Sequence, residues 1–227
     1  MFDVDDLVFS PPELGCVLYL PGPSGGGSKT QDRSAYANHG SITGATWARL
    51  PGGLWYLRFD GTDDYADCGN GDSLKNITLA ISVLAWVNTD TRNRSILGKY
   101  DPSGGNRAWV LRGGTFAVME NKGAFDANTV ALPTTDIGDS EWHFLAGVWS
   151  TGKKPEIFVD GVSDGVANSA VTDMDVVAPN VLVGDSAYSA TENWKGPIAL
   201  PRIYNRALNA LEISNHFNRE KHLFGAW

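Results

Sequence analysis

The chain lacks both long apolar segments and clusters of basic residues. No apolar run approaches the ~18 residues that a membrane-spanning helix requires, so we expect no insertion into a membrane. Lysine and arginine together number 18, against 26 aspartate and glutamate residues, and the formal net charge is −8. Because such a surface repels the phosphates of a nucleic acid, we also expect no nucleic-acid partner.

Cysteine is scarce, and from the first residues we expect no secretory leader. The N-terminal sequence MFDVDDLVFSPPEL has neither a basic start nor an apolar stretch of the kind that directs secretion. The two cysteines, Cys16 and Cys68, both fall in predicted strands. In a chain without a leader, two small buried thiols are favoured over a disulfide, although the sequence alone leaves their pairing open.

The most informative segment is LRFDGTDDYADCGN at residues 57–70, which predicts a β-hairpin. Aromatic and aliphatic side chains favour extended backbone on both sides of the Asp60-Gly61 pair. An Asp-Gly pair favours a tight turn, because glycine adopts positive φ at little cost. Similar turn signals recur about every 8–12 residues along the chain, and this spacing is typical of a single sandwich or barrel domain.

Two further segments define the predicted fold. Residues 79–87, LAISVLAWV, are apolar on both faces, which is expected of a strand that is covered on both sides. Asn209 and Glu212 predict a capping box, at the start of a helix that we expect to be short because the apolar residues after it form no long stripe. The predicted organisation is an extended arm at 1–14, a β-sandwich at 15–218 and a C-terminal tail at 219–227.

Four segments along the chain carry a shared set of motifs. They are the hairpin with F-D-G and D-Y-x-D-C-G, DRSAYANHGSITGATW at 32–47, EWHFLAGVW with IFVDG at 141–161, and GPIALPRIYNRALNALE at 196–212. Together they resemble the laminin-G-like modules of the concanavalin A-like lectin/glucanase superfamily. The resemblance implies an all-β fold, an antiparallel β-sandwich jelly roll with one short C-terminal helix.

No predicted strand carries the paired carboxylates of a glycosidase. The glucanases of this superfamily place them on one strand as E-x-D-x-x-E or E-x-D-x-E, where the alternation of side chains puts them on one face. In this chain Glu156 is followed by Ile-Phe-Val before Asp160, which belongs to a turn. We therefore expect no enzymatic activity, and a glycoside hydrolase-related enzyme is the third of the functions that we consider.

A structural calcium ion is the cofactor that the resemblance raises. Many modules of the superfamily hold calcium with an aspartate early in the final strand, and the matching residues here are Ala199 and Leu200. Calcium prefers oxygen ligands that include carboxylates, and this carboxylate is missing. We expect no cofactor. Calcium at Asp60, Asp63 and Asp64 is the alternative left open, although turn chemistry explains these three acids.

Carbohydrate binding is the chemistry that remains, because aromatic rings stack on sugar rings. Trp86 and Trp142 match strand positions and are predicted to pack in the core. Aromatic residues carried by loops are better candidates for ligand contact. The predicted carbohydrate-binding residues are Trp109, Trp194 and Tyr188, with Arg107, Asn193 and Asp185 as their polar partners.

The two ends of the chain carry aromatic residues that suit docking onto another protein. The predicted assembly contacts are Phe2, Phe9, Phe224 and Trp227. We therefore expect a non-catalytic surface module of an extracellular assembly such as a virion, in the role of a decoration, tail or fibre protein. Its expected partners are further copies of itself, other subunits and glycans, and its expected location is a virion or an extracellular surface. A free carbohydrate-binding, lectin-like protein is the alternative.

Overall fold

The computed structural model describes residues 13–22, 27–101, 105–120, 126–185 and 192–225. Within them the strands are β1 (Cys16–Tyr19), β2 (Lys29–Thr30), β3 (Gly40–Thr43), β4 (Thr46–Arg49), β5 (Trp55–Asp60), β6 (Tyr65–Asp67), β7 (Ala80–Asn88), β8 (Ser95–Asp101), β9 (Asn106–Arg112), β10 (Thr115–Val118), β11 (Val130–Ala131), β12 (Trp142–Ser150), β13 (Glu156–Val159), β14 (Val162–Val166), β15 (Leu182–Val183) and β16 (Lys195–Tyr204). The helices are α1 (Asp72–Lys75), α2 (Ala210–Phe224) and a short 3-10 helix (Ala127–Thr129).

The strands form two eight-stranded antiparallel sheets that pack face to face. Sheet A has the order β14-β13-β12-β7-β16-β5-β4, and β1 also pairs with β16. Sheet B has the order β11-β10-β9-β8-β15-β6-β3-β2. The predicted antiparallel sandwich with a C-terminal helix is therefore confirmed. None of the described helices is long and apolar enough to cross a membrane.

Strand β7 shows why an unbroken apolar segment occupies the middle of sheet A. Its inward residues, such as Val83 and Val87, join the large core between the two sheets. Its outward residues, Leu84 and Trp86, join a second core cluster on the other face of sheet A, together with Phe224 of helix α2. The strand is thus covered on both faces, as its sequence predicts.

Helix α2 begins as predicted and ends later than predicted. The Asn209 side chain accepts a hydrogen bond from the Glu212 backbone N–H, and the Glu212 carboxylate accepts one from the Asn209 N–H, which completes the capping box. The helix continues for 15 residues to Phe224. Residues 219–224 therefore belong to the helix and not to a separate tail.

The helix is longer than predicted. The sequence did not show its length because two of its buried residues are polar. The buried residues of α2 include His216 and Glu220, which break the apolar stripe in the sequence. Glu220 Oε1 lies 2.7 Å from Arg202 Nη1, and Trp86 Nε1 donates to Glu220 Oε2 at 2.8 Å. Burial raises the pKa of Glu220, but the positive charge of Arg202 outweighs this effect, and the pKa falls to about 2. The carboxylate is thus held ionised beneath the helix.

The two cysteines are buried free thiols, as favoured by the sequence. Burial raises the pKa of the Cys16 thiol to about 12. Burial also raises the pKa of Cys68. Both thiols therefore stay protonated at neutral pH and act as small apolar side chains.

Candidate functional site

The two tryptophans predicted to stack on a sugar are both fully buried, so this prediction is wrong for them. Trp109 lies on β9 and faces the core between the sheets, with an exposed fraction of 0%. Trp194 is equally buried, and its Nε1 donates to the Pro197 carbonyl at 3.4 Å. Neither ring has a free face for a ligand.

Within the described residues, the polar partners predicted for those tryptophans are not gathered around an exposed ring. The Asn193 side chain is buried and donates through Nδ2 to the Thr62 carbonyl, so it holds the turn of the opening hairpin. The Arg107 guanidinium lies 5.6 Å from the centre of the Tyr100 ring. Asp185 is half-buried. Tyr188 lies outside the described residues.

Of the predicted assembly contacts, Phe224 is the one within the described residues, and it is not available for docking. Its ring stacks on Trp86 with the ring centres 4.2 Å apart, and it contacts Trp142 at 4.8 Å. The residue is buried because it closes the apolar contact between helix α2 and sheet A. Phe2, Phe9 and Trp227 lie outside the described residues.

A polar groove of about 270 Å³ lies on sheet A. The side chains of sheet A alternate between its two faces, and most of those that line the groove lie on the face that carries α2. Leu57 and Phe59 of β5 point into the core. Arg58 and Asp60 alternate with them, so their side chains point outward and are exposed. The residues that line the groove are Arg58, Phe59, Asp60, Asn88, Thr89, Asp90, Ser140, Lys195, Gly196 and Pro197. We call this feature the outer groove.

Three adjacent strands build the outer groove. Strand β16 provides its floor, and the small residues Gly196 and Pro197 make that floor low. Pro197 pairs with Arg58 on β5. On the other side Ile198 pairs with Val87, which places Asn88 of β7 beside Pro197. The long side chains of the two flanking strands therefore stand as walls on either side of a low central strand.

Hydrogen bonds fix the wall that is formed by the end of β7. Asn88 Nδ2 donates to the Ser140 carbonyl at 2.7 Å, and the Ser140 N–H donates to the Thr89 carbonyl at 2.9 Å. The buried Thr89 hydroxyl is 2.9 Å from the Lys195 carbonyl. These bonds tie the wall to the floor, so the groove is preformed.

The groove carries charges of both signs that remain in contact with solvent. Lys195 Nζ lies 3.0 Å from Asp90 Oδ2, and about half of each side chain is exposed. A hydrogen bond from the Thr91 hydroxyl, together with the Lys195 ammonium, lowers the pKa of Asp90. Asp90 is therefore an ionised hydrogen-bond acceptor at neutral pH.

Two half-buried aromatic rings border the groove on the side of helix α2. The Tyr56 and Trp142 rings meet edge to face, with their centres 5.7 Å apart. Trp142 pairs with Asn88 across β12 and β7, so its side chain lies next to a groove residue on the same face. The ring pair therefore adds apolar surface beside the polar groove.

The acidic turn of the hairpin lies at the other end of the groove. Carboxylate oxygens of Asp60, Asp63 and Asp64 all lie within 4.8 Å of one another, and these are donors that calcium prefers. The turn is also held together by its own hydrogen bonds, because Asp64 accepts from the Asp60 N–H at 2.8 Å and Asp60 accepts from the Thr62 N–H at 2.7 Å. Burial raises the pKa of Asp64.

Sequence reasoning missed the outer groove, although one signal was present. The segment WYLRFD alternates inward Leu57 and Phe59 with outward Tyr56, Arg58 and Asp60, and this period of two marks a strand with one polar face. The contribution of β16 and β7 could not be read in the same way. It depends on strands that meet only in the folded sheet.

Comparison with known families identifies one match that covers most of the chain. Residues 60–214 match the laminin G family described as "Concanavalin A-like lectin/glucanases superfamily". No curated protein matches the sequence.

Solved structures with the same fold include toxin binding domains and a sialidase. The binding domain of Paraclostridial Mosquitocidal Protein 1 is 15% identical with a TM-score of 0.69, over 93% of this chain and 55% of that one. Trypanosoma rangeli sialidase in complex with sialic acid is 18% identical with a TM-score of 0.69, over 94% and 34%. The binding domain of Botulinum neurotoxin DC in complex with rat synaptotagmin II is 14% identical with a TM-score of 0.64, over 90% and 51%.

The chain thus spans about half the length of those toxin binding domains and about a third of the sialidase chain. At these identities the likeness shows a shared fold. It does not show a shared ligand or activity.

Proposed function

Because this chain belongs to the concanavalin A-like lectin/glucanases superfamily, we propose that it is a non-catalytic recognition module that binds carbohydrate in the outer groove. One observation carries the proposal. The groove brings exposed hydrogen-bonding and charged side chains next to a pair of half-buried aromatic rings. Sugars present hydroxyl groups around apolar ring faces, so a site for them needs both kinds of surface.

The groove side chains match the hydrogen-bonding needs of sugar hydroxyls. Asp90 and Asp60 supply acceptors, while Lys195 and Arg58 supply donors. Among the described residues no acid forms an ion pair with Arg58, so its N–H groups are available to a ligand. Asn88 donates to the Ser140 carbonyl and keeps its side-chain oxygen for another donor.

The acids of the groove favour binding over hydrolysis. A glycosidase requires one carboxylic acid whose raised pKa keeps it protonated, next to a second carboxylate. The pKa of Asp90 is lowered, and the carboxylate pairs with Lys195. Asp90 therefore stays ionised and does not suit the role of the proton donor. Structural neighbours described as toxin binding domains also support a recognition role, since about half of each has the same fold as this chain.

We further propose that the module works at the surface of an extracellular assembly such as a virion. The segment that follows residues 1–12 supports this, because Glu13 is held 3.2 Å from His216 Nε2 and 3.3 Å from Arg219 Nη1. Glu13, the first described residue, is therefore held against helix α2. Light scattering of the chain with residues 1–227, with Phe2→Ala/Phe9→Ala as the comparison, tests the idea. A stable oligomer that the double variant dissociates supports it, and a monomer contradicts it.

A glycan array followed by titration calorimetry tests the carbohydrate proposal. We expect binding that Lys195→Ala weakens about tenfold or more, since a hydrogen bond to a charged group contributes about 1.5–3 kcal/mol. Asn88→Ala should weaken it about two- to tenfold, since a neutral hydrogen bond contributes about 0.5–1.5 kcal/mol. Lys154→Ala is the matched control, because Lys154 is exposed and lies outside the groove. A blank array, or equal losses for the control and the groove variants, would contradict the proposal.

A further inference from the structure

The aromatic pair beside the outer groove reaches across two intervening strands. Tyr56 lies on β5 and Trp142 on β12, and the sheet order places β16 and β7 between them. Neighbouring strands lie ~4.8 Å apart, so the two backbones are separated by ~14 Å. The ring centres nevertheless lie 5.7 Å apart. Both side chains therefore lean inward and meet above the middle of the sheet.

The residue beneath the rings explains why they can meet. Ile198 pairs with Leu57, which places Ala199 beside Tyr56, and Ala199 also pairs with Trp86 on the other side. Ala199 is buried and raises only a methyl group above the floor. A longer side chain at this position would occupy the space in which the two rings touch.

The meeting rings are supported from behind by helix α2. Phe224, in the last turn of the helix, contacts Trp142 at 4.8 Å and stacks on Trp86 at 4.2 Å. The stack is part of a buried apolar cluster, so the position of the rings is fixed by packing. The Tyr56–Trp142 pair thus forms a barrier between the outer groove and the helix.

Among the residues that the structure describes, none forms such a barrier at the opposite end of the groove. There Lys195 pairs with Asp60 in the sheet, and the exposed Asp90 completes the margin. All three of these side chains are exposed to solvent. The groove is therefore closed at the aromatic end and open at the charged end.

We propose that the outer groove binds the terminal residue of a glycan chain. This inference rests on the carbohydrate function proposed above and adds which part of the glycan is bound. The terminal sugar lies over Pro197 with its end against the Tyr56–Trp142 barrier. The rest of the chain leaves past Lys195 and Asp90. An internal sugar would need an exit at both ends, and the barrier removes one of them.

The test compares the same sugar with free ends and with each end blocked. The first probes are lactose, which has both ends free, its methyl glycoside, in which the reducing end is blocked, and sialyllactose, in which the galactose end is blocked. The same three forms of the best array glycan follow. We expect one block to weaken binding at least tenfold and the other to leave it unchanged. Equal binding of all forms would show that an internal segment occupies the groove and would overturn the inference.

A variant that removes the barrier provides a second test. Tyr56→Ala opens the closed end and also removes apolar surface, so it should weaken binding of the free form as well. On this variant the affinities for the blocked form and the free form should therefore lie within a few-fold of each other. Tyr36→Ala is the control, because Tyr36 is exposed on a loop outside the groove. Continued rejection by a folded Tyr56→Ala protein would contradict the role of the barrier. Absence of binding by every glycan would instead contradict the proposed function itself, so the two failures are distinguishable.

Discussion

Strand β16 contributes one residue to each of two ion pairs, and these pairs differ mainly in their contact with water. Arg202 lies 2.7 Å from Glu220, and their side chains are 4% and 0% exposed. Lys195 lies 3.0 Å from Asp90, and their side chains are 50% and 56% exposed. The first pair lies beneath helix α2, and the second borders the outer groove. The same kind of contact thus holds the fold at one end of the strand and faces solvent at the other.

The difference follows from the cost of removing charges from water. A buried charge that loses its partner is left without solvation, and breaking such a pair costs several kcal/mol. An exposed charge that loses its partner is solvated again, and the pair contributes little to stability. Burial therefore commits Arg202 to structure, while exposure leaves Lys195 free to exchange its partner for a ligand.

Breaking the buried pair should give the largest effect. Glu220→Gln removes the charge opposite Arg202 and should lower the free energy of unfolding by about 3–5 kcal/mol. Urea denaturation at pH 7 measures this change. Glu141→Gln is the control, since Glu141 is exposed and we expect its substitution to change stability by less than about 0.5 kcal/mol. Equal changes for both variants would show that burial does not set the difference.

Glu13 should give a smaller and pH-dependent effect, because it is buried less deeply than Glu220. A hydrogen bond from His216 outweighs burial and, with the charges of His216 and Arg202, lowers the pKa of Glu13 to about 2 from 4.5. The carboxylate therefore stabilises the folded state above about pH 4.5, and this contribution is lost as the pH falls through about 2.

After allowance for solvent screening, Glu13→Gln should cost about 1–2 kcal/mol at pH 7. The difference between the variant and the unmodified protein should shrink toward zero near pH 2. Urea denaturation at a series of pH values measures it. A difference that stays constant from pH 7 to pH 2 would contradict the role of the ionised carboxylate.

Features that depend on neighbouring residues could be predicted from the sequence, and features that depend on distant residues could not. The hairpin turn, the capping box and the doubly covered strand β7 depend on neighbouring residues, and all were predicted. The length of α2 was not predicted, since Glu220 is buried only because Arg202, 18 positions earlier, pairs with it. Trp194 follows a polar segment, yet the fold buries it. Local polarity does not report which distant strand covers a side chain.

The outer groove was missed for the same reason. Arg58, Pro197 and Asn88 are distant in the sequence and adjacent only in the folded sheet. The alternation of β5 could have identified its outward face, but not the strand beside it. The superfamily could be predicted from motifs that mainly form turns and strands. Phe59 and Gly196 of the groove belong to those motifs, but the motifs do not show that β5, β16 and β7 lie side by side.

His143 is intermediate in burial between the Arg202–Glu220 pair and the Lys195–Asp90 pair. Its ring lies between two carboxylates. Its Nδ1 lies 2.8 Å from Asp160 and its Nε2 lies 3.2 Å from Asp139. The hydrogen bond to Asp160 outweighs burial and raises the pKa of His143 above 6.5. The stabilisation by the charged ring is therefore complete below pH 6.5 and is lost as the pH rises through the raised pKa.

We expect His143→Gln to lower the free energy of unfolding by more at pH 6 than at pH 9, with the two values differing by about 1 kcal/mol or less. His222→Gln is the control on an exposed helical histidine. A difference that is larger at pH 9 would reverse the assigned sign.

The exposed pair of the groove should give the smallest effect on stability and the clearest separation of stability from binding. Lys195→Ala removes the partner of Asp90, but more than half of the Asp90 side chain is exposed to water, so the free energy of unfolding should not change beyond the error of urea denaturation. The same variant should weaken glycan binding at least tenfold. A variant that loses binding and stability together would place Lys195 with Arg202, as part of the structure. Loss of binding alone would show that leaving a charged pair in water keeps it available to a ligand.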